Sequence, residues 1–356
     1  MLTALSILAV LMIAMLALGI GFHSWASEGN AVAAADAPAY ETYYVPEKSR
    51  FAVMATLGLL LSVFGGALVL NEMTFGGTHD TGGFGKYVSI GGVIFFLATL
   101  TFWFRQAIIE NQAGMNSSQL GHSYVLGMFW FIFSEVMFFA AFFGTLLYVR
   151  WLAGPWLAGE GEGGRMNHLL WEGFEYSWPP MTTPQEIAGG ALSQPIANNG
   201  EFVTQERSMS FADAHHWYQW LPLWNTIILL SSSVTCEFAH RSLANDEIKK
   251  FNTWLGITVA LGIIFLFLQA AEYYEAYALF GLTLNSGIYG STFFMLTGFH
   301  GLHVAMGMTM LLVQLVRSLR HQHHSSTDHF GFSASSWYWH FVDVVWVFLF
   351  IFVYII

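Results

Sequence analysis

The chain has 356 residues, of which 55% are hydrophobic, 17% aromatic and only 10% charged, whereas an ordinary soluble domain carries about 25% charged residues. That composition excludes a soluble globular protein, and a formal charge of −11 excludes nucleic-acid binding on electrostatic grounds. The single cysteine, Cys236, excludes an internal disulfide, a thiolate zinc site and a two-cysteine copper centre. Its place within an apolar run suits a small buried hydrophobe.

Residues 1–20, MLTALSILAVLMIAMLALGI, form a first apolar run. It lacks the basic start of a signal peptide, while VAAADA downstream offers small residues suited to cleavage. Cleavage would leave the following segment outside, against the charge distribution given below, so a retained extra N-terminal transmembrane helix is expected. Seven long apolar runs follow, at about 51–70, 88–108, 125–150, 221–240, 254–272, 289–316 and 338–356. Each suits a membrane-spanning helix of ~20 residues. The eight prolines fall outside these runs or in a first turn, as helices require. Alternating ten-residue strands are absent, which excludes a membrane β-barrel. The predicted fold class is an all-α polytopic membrane protein.

Basic residues set the orientation. Lys48, Arg50, Arg105, Arg241, Lys249, Lys250, Arg317 and Arg320 share one side, and Lys86, Arg150, Arg165 and Arg207 the other. The richer side is placed in the cytoplasm, which puts the C-terminus on the outer face. The long outer segment, about 152–219, carries Glu160, Glu162, Glu172, Glu175, Glu186, Glu201, Glu206 and Asp213 against Arg165 and Arg207. A loop of this length is usually functional. It reads either as a surface for a basic soluble partner or as a solvated cap.

Ionisable groups also occur deep in the apolar runs. Glu135 lies in FIFSEVMFF, His300 and His303 in TGFHGLHV, and His340 with Asp343 in WYWHFVDVVW, while Glu272 and Glu275 close FLFLQAAEYYEA. A charge at the bilayer centre costs roughly 2.5–3.5 kcal/mol, so such groups are expected to face a bundle interior, pair with one another or stay neutral. Glu135, flanked by Phe133, Phe138 and Phe139, is open to both a proton-transfer and a purely structural role. His300 and His303 are three apart and share a helix face, and Gly298, Gly301 and Gly307 permit close helix contact. They read as imidazole ligands or as rings hydrogen-bonded to neighbouring helices; no HExxH or paired ExxH motif supports a metal. His340 and Asp343 repeat the spacing, as a proton relay or a helix anchor. Gln269, Glu272 and Glu275 follow it near an outer helix end, where water is expected to reach them. Glu237 and Arg241 are placed for a helical ion pair, and His321, His323 and His324 read as a solvated loop.

Several stretches are long and distinctive: FIFSEVMFF at 131–139, WPP at 178–180, LPLWNTIILLSSSVT at 221–235, LQAAEYYEA at 268–276, GIYGSTFFMLTGFHGLHV at 287–304 and HFGFSASSWYWHFVDVVWVFLF at 329–350. Together they resemble subunit III of the haem–copper terminal oxidases, of the bacterial cytochrome c oxidase type. The resemblance covers about 43–356, apart from stretches near 71–86 and 181–213. It implies seven family helices in a V: a two-helix arm at 48–110 and a five-helix arm at 111–356 that carries the outer insertion at about 152–219. Residues 1–47, the extra helix and its linker, lie outside the family core.

The resemblance further implies phospholipids in the cleft between the arms. Glu135 matches the family's buried glutamate near that cleft, and Arg105 and Glu110 fall where the family contacts lipid headgroups. Arg317 and Arg320 occupy the matching basic positions after the sixth helix. Glu272, Glu275, His300, His303, His340 and Asp343 would form an intramembrane polar network. No catalytic residue, metal or redox cofactor is implied in this chain; haem and copper would lie in partner subunits I and II. Its role would be to support proton uptake into subunit I and to protect the complex from turnover inactivation, in a bacterial inner membrane. Cytochrome c would be the candidate for the acidic outer face. The chain departs from the family at SYVLGMFW, where many relatives have an arginine, at Asn116, where a histidine is usual, and at VPEKSRF, which lacks the common tryptophan-proline pair.

Three other readings stand beside this one. A quinol oxidase would use the same subunit, and its subunit II would lack the two-cysteine copper site. A stand-alone proton-coupled transporter predicts an inverted repeat with broken helices, which the sequence does not display. A haem or di-metal oxidoreductase predicts metal bound to this chain alone.

Overall fold

A computed structural model describes residues 49–75, 83–190, 202–214, 216–320 and 329–356. The run at 1–20 and the histidines His321, His323 and His324 lie outside the described residues. Within them, seven helices of twenty residues or more follow in order: α1 Phe51–Phe75, α2 Phe84–Gln112, α3 Ser118–Tyr148, α4 Leu221–Ala244, α5 Ile248–Ala278, α6 Gly287–Leu319 and α7 Phe330–Leu349. A π-helical turn, Val149–Ala153, and the short helix Gly154–Leu157 prolong α3, and π-helical Phe350–Ile355 prolongs α7. No strand occurs among the described residues.

Six of these rods are long and apolar enough to cross a membrane among the described residues; α4 is not one of them. The reason is chemical. Its inner face carries Asn225, Thr226, Ser232 and Cys236 at helical spacing, all buried. Trp346 Nε1 donates to Thr226 Oγ1 at 2.9 Å, and Trp339 Nε1 donates to Ser232 Oγ at 3.1 Å. The polarity that lowers its hydropathy is therefore consumed inside the bundle, where large indole rings need acceptors.

The extension of α3 differs from the sequence expectation, which placed Pro155 beyond the run. Pro155 lies within the continuous span Ser118–Leu157. The wide turn before it, with Gly154 N–H donating to Val149 O, provides the local irregularity that lets a helix continue past a residue with no N–H.

The described residues fall into two compact units, one within Asn30–Leu126 and the other comprising Gly127–Ile356. In the first, α1 and α2 approach through glycine. A Cβ on Gly65 would lie 2.3 Å from Ser89 N, and one on Gly92 would lie 2.4 Å from Ser62 N. Ser89 Oγ donates to Ser62 O at 3.2 Å across the seam. Small residues gain this contact in lipid, where no hydrophobic force drives helices together. Apolar side chains such as Leu57, Leu60, Phe102 and Phe104 remain exposed.

In the second unit α4 packs along α5, α5 along α6, and α7 against both α6 and α4. The core is aromatic: Trp339, Trp346, Tyr289, Tyr338, Tyr354, Phe265 and Phe293 are among its largest fully buried side chains. Phe265 meets Trp346 edge-on at 4.9 Å, a favoured arrangement of ring quadrupoles.

Candidate functional site

The polar groups of the second unit are tied together in separate places. The first joins α3 to α6. Glu135 Oε2 lies 2.8 Å from His303 Nε2, and His303 Nδ1 lies 2.6 Å from Phe299 O, one turn earlier on α6. A carbonyl only accepts, so Nδ1 must carry a proton. The proton between Nε2 and the carboxyl can then sit on either partner, and the pair is neutral overall in both arrangements. Phe138 and Tyr338 stack on the imidazole and Phe139 meets it edge-on. His303 is almost wholly enclosed, whereas the Glu135 side chain is 22% exposed, beside the outward-facing Phe133 and Met137.

The second place joins α4, α5 and the C-terminal extension of α7. Tyr354 donates its hydroxyl to Glu272 Oε1 at 2.5 Å, and Asn225 Nδ2 donates to Oε2 at 3.3 Å. Glu272 is fully buried, which corrects the expectation that water reaches it. Its position on α5 points to the seam with α4, while Glu275, three residues on, is only partly covered. Both oxygens of Glu272 are thus served by neutral donors, the arrangement a buried carboxyl requires.

The third place joins α4 to α7. His340 Nδ1 lies 2.8 Å from Ser233 Oγ, and Asp343 Oδ2 stands 3.6 Å from the same nitrogen. The close partner is therefore the serine of the neighbouring helix. Both groups address one nitrogen, so the trio lacks the relay through opposite ring nitrogens that a nucleophilic triad uses.

His300 is a different case. It shares a face with His303 but is fully buried between Phe265 and Trp346, and neither ring nitrogen has a hydrogen-bond partner among the described residues. The two histidines serve different neighbours, so their spacing does not create a shared imidazole site.

The helix ends hold the remaining residues. On α2, Arg105 is exposed and Glu110 accepts from Gln106 Nε2 at 2.9 Å. At the end of α6, Arg317 Nη1 donates to Gln314 Oε1 at 3.1 Å, while Arg320 is exposed. Arg241 and Glu237 form the expected ion pair at 2.8 Å. Asn116 donates to Asn111 Oδ1 at 2.5 Å. Just past the C-terminal end of α3 the guanidinium of Arg150 lies over the Trp178 ring, 5.1 Å from its centre, a cation–π contact.

Sequence reasoning singled out the acids and histidines but missed most of their partners. Tyr354, Asn225 and Ser233 supply hydrogen bonds that no i, i+3 spacing reveals. Tyr273 OH meets Thr297 Oγ1 at 2.7 Å, and Thr235 Oγ1 meets Thr258 Oγ1 at 2.8 Å. The helical spacing of Asn225, Ser232 and Cys236 was the one available signal.

These features define a polytopic helical membrane protein in which Glu135, His303, Glu272 and His340 each meet a polar partner on a neighbouring helix, while His300 is enclosed by aromatic rings. Among the described residues no three His, Cys, Asp or Glu side chains converge to hold a metal. Comparison with known proteins gives the family. The model for "Cytochrome c oxidase subunit III" matches residues 218–356. The pig protein (Sus scrofa) named "Cytochrome c oxidase subunit 3" is 38% identical over 252 residues, covering 69% of this chain and 75% of the relative. Its namesake from Tetraodon nigroviridis is 37% identical over 248 residues, with 69% and 75% covered. That from Didelphis virginiana is 38% identical over 252 residues, with 69% and 70% covered. The chain belongs to the cytochrome c oxidase subunit III family.

Proposed function

We propose that this chain is the accessory subunit III of a proton-pumping cytochrome c oxidase. In this reading it assembles with subunits I and II, which hold the haem and copper. It retains structural phospholipids and supports proton uptake and operating lifetime in subunit I. It sits in a bacterial inner membrane with its C-terminus on the outer face, where the acidic segment faces basic cytochrome c. Arg105, Glu110, Arg317 and Arg320 are its headgroup contacts, since guanidinium groups at helix ends suit lipid phosphates.

The observation that carries this reading is the Glu135–His303 pair. A carboxyl 22% exposed, among lipid-facing apolar side chains and sharing one proton with an enclosed imidazole, is a polar post at the surface of an otherwise greasy bundle. Intramembrane ionisable groups are retained where they serve such a purpose. The test is Glu135→Gln in the assembled oxidase, which removes the titratable proton and keeps the shape. Proton uptake is expected to slow and the enzyme to inactivate after fewer turnovers; if both are unchanged, the carboxyl is structural only. Replacing Arg317 and Arg320 together with Ala is expected to lower co-purifying phospholipid measured by mass spectrometry, and unaltered lipid content would refute that assignment.

A further inference from the structure

A ring nitrogen of His340 is open to the surroundings of the bundle at mid-membrane depth. His340 lies on α7 and Ser233 on α4, and at least about 15 Å of helix separates each from either end of its rod. That distance is half the roughly 30 Å thickness of a bilayer's hydrocarbon. Nδ1 of His340 is turned inward, 2.8 Å from Ser233 Oγ and 3.6 Å from Asp343 Oδ2. The His340 side chain is nevertheless 34% exposed, against 5% for Asp343. Its other nitrogen, Nε2, has no hydrogen bond among the described residues and is not among the enclosed unpaired atoms. It is therefore accessible and unsatisfied.

The surface around this nitrogen is otherwise apolar. On α7, Trp337, Val344 and Val347 accompany His340 along a half-open stripe with helical spacing, and His340 is its one ionisable residue. On α4, Ile227, Leu230, Val234 and Phe238 are exposed at the same kind of spacing. Ser231, also exposed on α4, spends its hydroxyl on Ile227 O at 2.6 Å, so it has no need of an outside acceptor. The Ser233–His340 contact joins the two helices and leaves Nε2 as the unmet polar demand beside them.

Depth and chemistry together select the occupant. Lipid hydrocarbon has no hydrogen-bonding group, and an unsatisfied polar atom within it is costly. Intramembrane ionisable groups pair with a partner rather than face lipid. The apolar run at 1–20 does not bring one to this depth, since residues 7–20 include no hydroxyl, amide, ring nitrogen or charged side chain. We propose that the stripe around His340 docks a transmembrane helix of a partner subunit, apolar over most of its face and carrying one hydrogen-bonding side chain that meets His340 Nε2. This inference rests on the assembly proposed above, but not on the lipid sites or the role of Glu135.

The test uses the assembled complex with the photoreactive residue p-benzoylphenylalanine in place of Leu230 or of Val344, one on each helix beside the contact. Irradiation is expected to give an adduct on a transmembrane peptide of another subunit, within two turns of a hydrogen-bonding side chain. An adduct on phospholipid, on this chain or on a wholly apolar stretch overturns the proposal, as does no adduct at either position. His340→Phe keeps a ring but removes Nε2, and should weaken retention of that subunit during detergent titration about threefold, the worth of an ordinary hydrogen bond between membrane helices. His340→Gln, which keeps a polar group, should recover part of the loss, and Ser233→Ala, which touches only the inward bond, should cause less. Unchanged retention in His340→Phe, no recovery in His340→Gln or an equal loss in Ser233→Ala overturns the role of Nε2. Should His340→Phe not assemble, the adducts decide. If no other subunit co-purifies with the unmodified chain, the assembly itself is refuted, which separates that failure from failure of this contact.

Discussion

Replacing Glu135 by Gln and by Ala separates the two descriptions of its bond to His303. With Nδ1–H committed to Phe299 O, a neutral ring offers Nε2 as an acceptor. The Gln amide can donate to that nitrogen in nearly the same place as the carboxyl, so the bond survives and the cost should stay below about 1 kcal/mol. Ala leaves Nε2 of a residue only 6% exposed without a partner, at a cost of about 1–3 kcal/mol. The difference corresponds to about 2–6 °C in the melting of a unit of this size. The assay is the thermal transition of the assembled complex, followed by near-ultraviolet circular dichroism at one scan rate for all three proteins, since such complexes unfold irreversibly. If Gln proves as damaging as Ala, the pair is an imidazolium–carboxylate ion pair, whose broken half costs about 3–5 kcal/mol when buried, and the reading of Nε2 as an acceptor fails.

Tyr354→Phe deprives Glu272 Oε1 of its donor inside the core and should lower the melting temperature of the complex; the same substitution at the exposed Tyr274 serves as the control and should have little effect. Gly92→Val forces a branched side chain into the space of the Ser62 and Leu61 backbone, and overpacking of this kind costs about 1–3 kcal/mol or more. Loss of disulfide cross-linking between cysteines introduced on α1 and α2 would register the separation. Glu237→Gln breaks an ion pair whose Arg241 side chain is 69% exposed; it should change stability by less than about 1 kcal/mol, with any effect fading in high salt. For Tyr176, burial raises the folded-state pKa to about 12 above the ordinary value of about 10. Its contribution to stability is therefore fully present below pH 10 and is lost as the pH rises through 12. Tyr176→Phe should remove one tyrosinate from the absorbance titration near pH 12, and an unaltered titration curve would contradict the burial.

Much of the architecture was legible in the chain because a bilayer imposes a simple rule. Backbone polar groups must be satisfied within each spanning segment, so apolar length alone located α1, α2, α3, α5, α6 and α7. Helix α4 was recognised as a run even though its hydropathy is low. Asn225, Ser232 and Cys236 fall on one buried stripe, and the motif beginning at Leu221 marked it independently. The ion pair of Glu237 with Arg241 followed from i, i+4 spacing, since neighbours on one helix face are fixed by 3.6 residues per turn.

What the sequence by itself determined is therefore the helices α1 to α7, the family and the residues whose burial demands a partner. Which partner each one found was decided only by the tertiary structure. His300 and His303 look equivalent in TGFHGLHV, yet a rotation of about 300° along the helix over three residues leaves them about 60° apart. That offset turns His303 toward Glu135 on α3 and His300 toward Phe265 and Trp346. Glu272 and Glu275 diverge likewise, one sealed beneath Tyr354 and Asn225, the other partly uncovered. Hydrogen bonds between helices depend on crossing angle and rotation, and these are set by how large rings such as Trp339 lodge against small residues such as Gly262 and Gly307. Those packing choices involve residues far apart in the chain, so no local pattern encodes them.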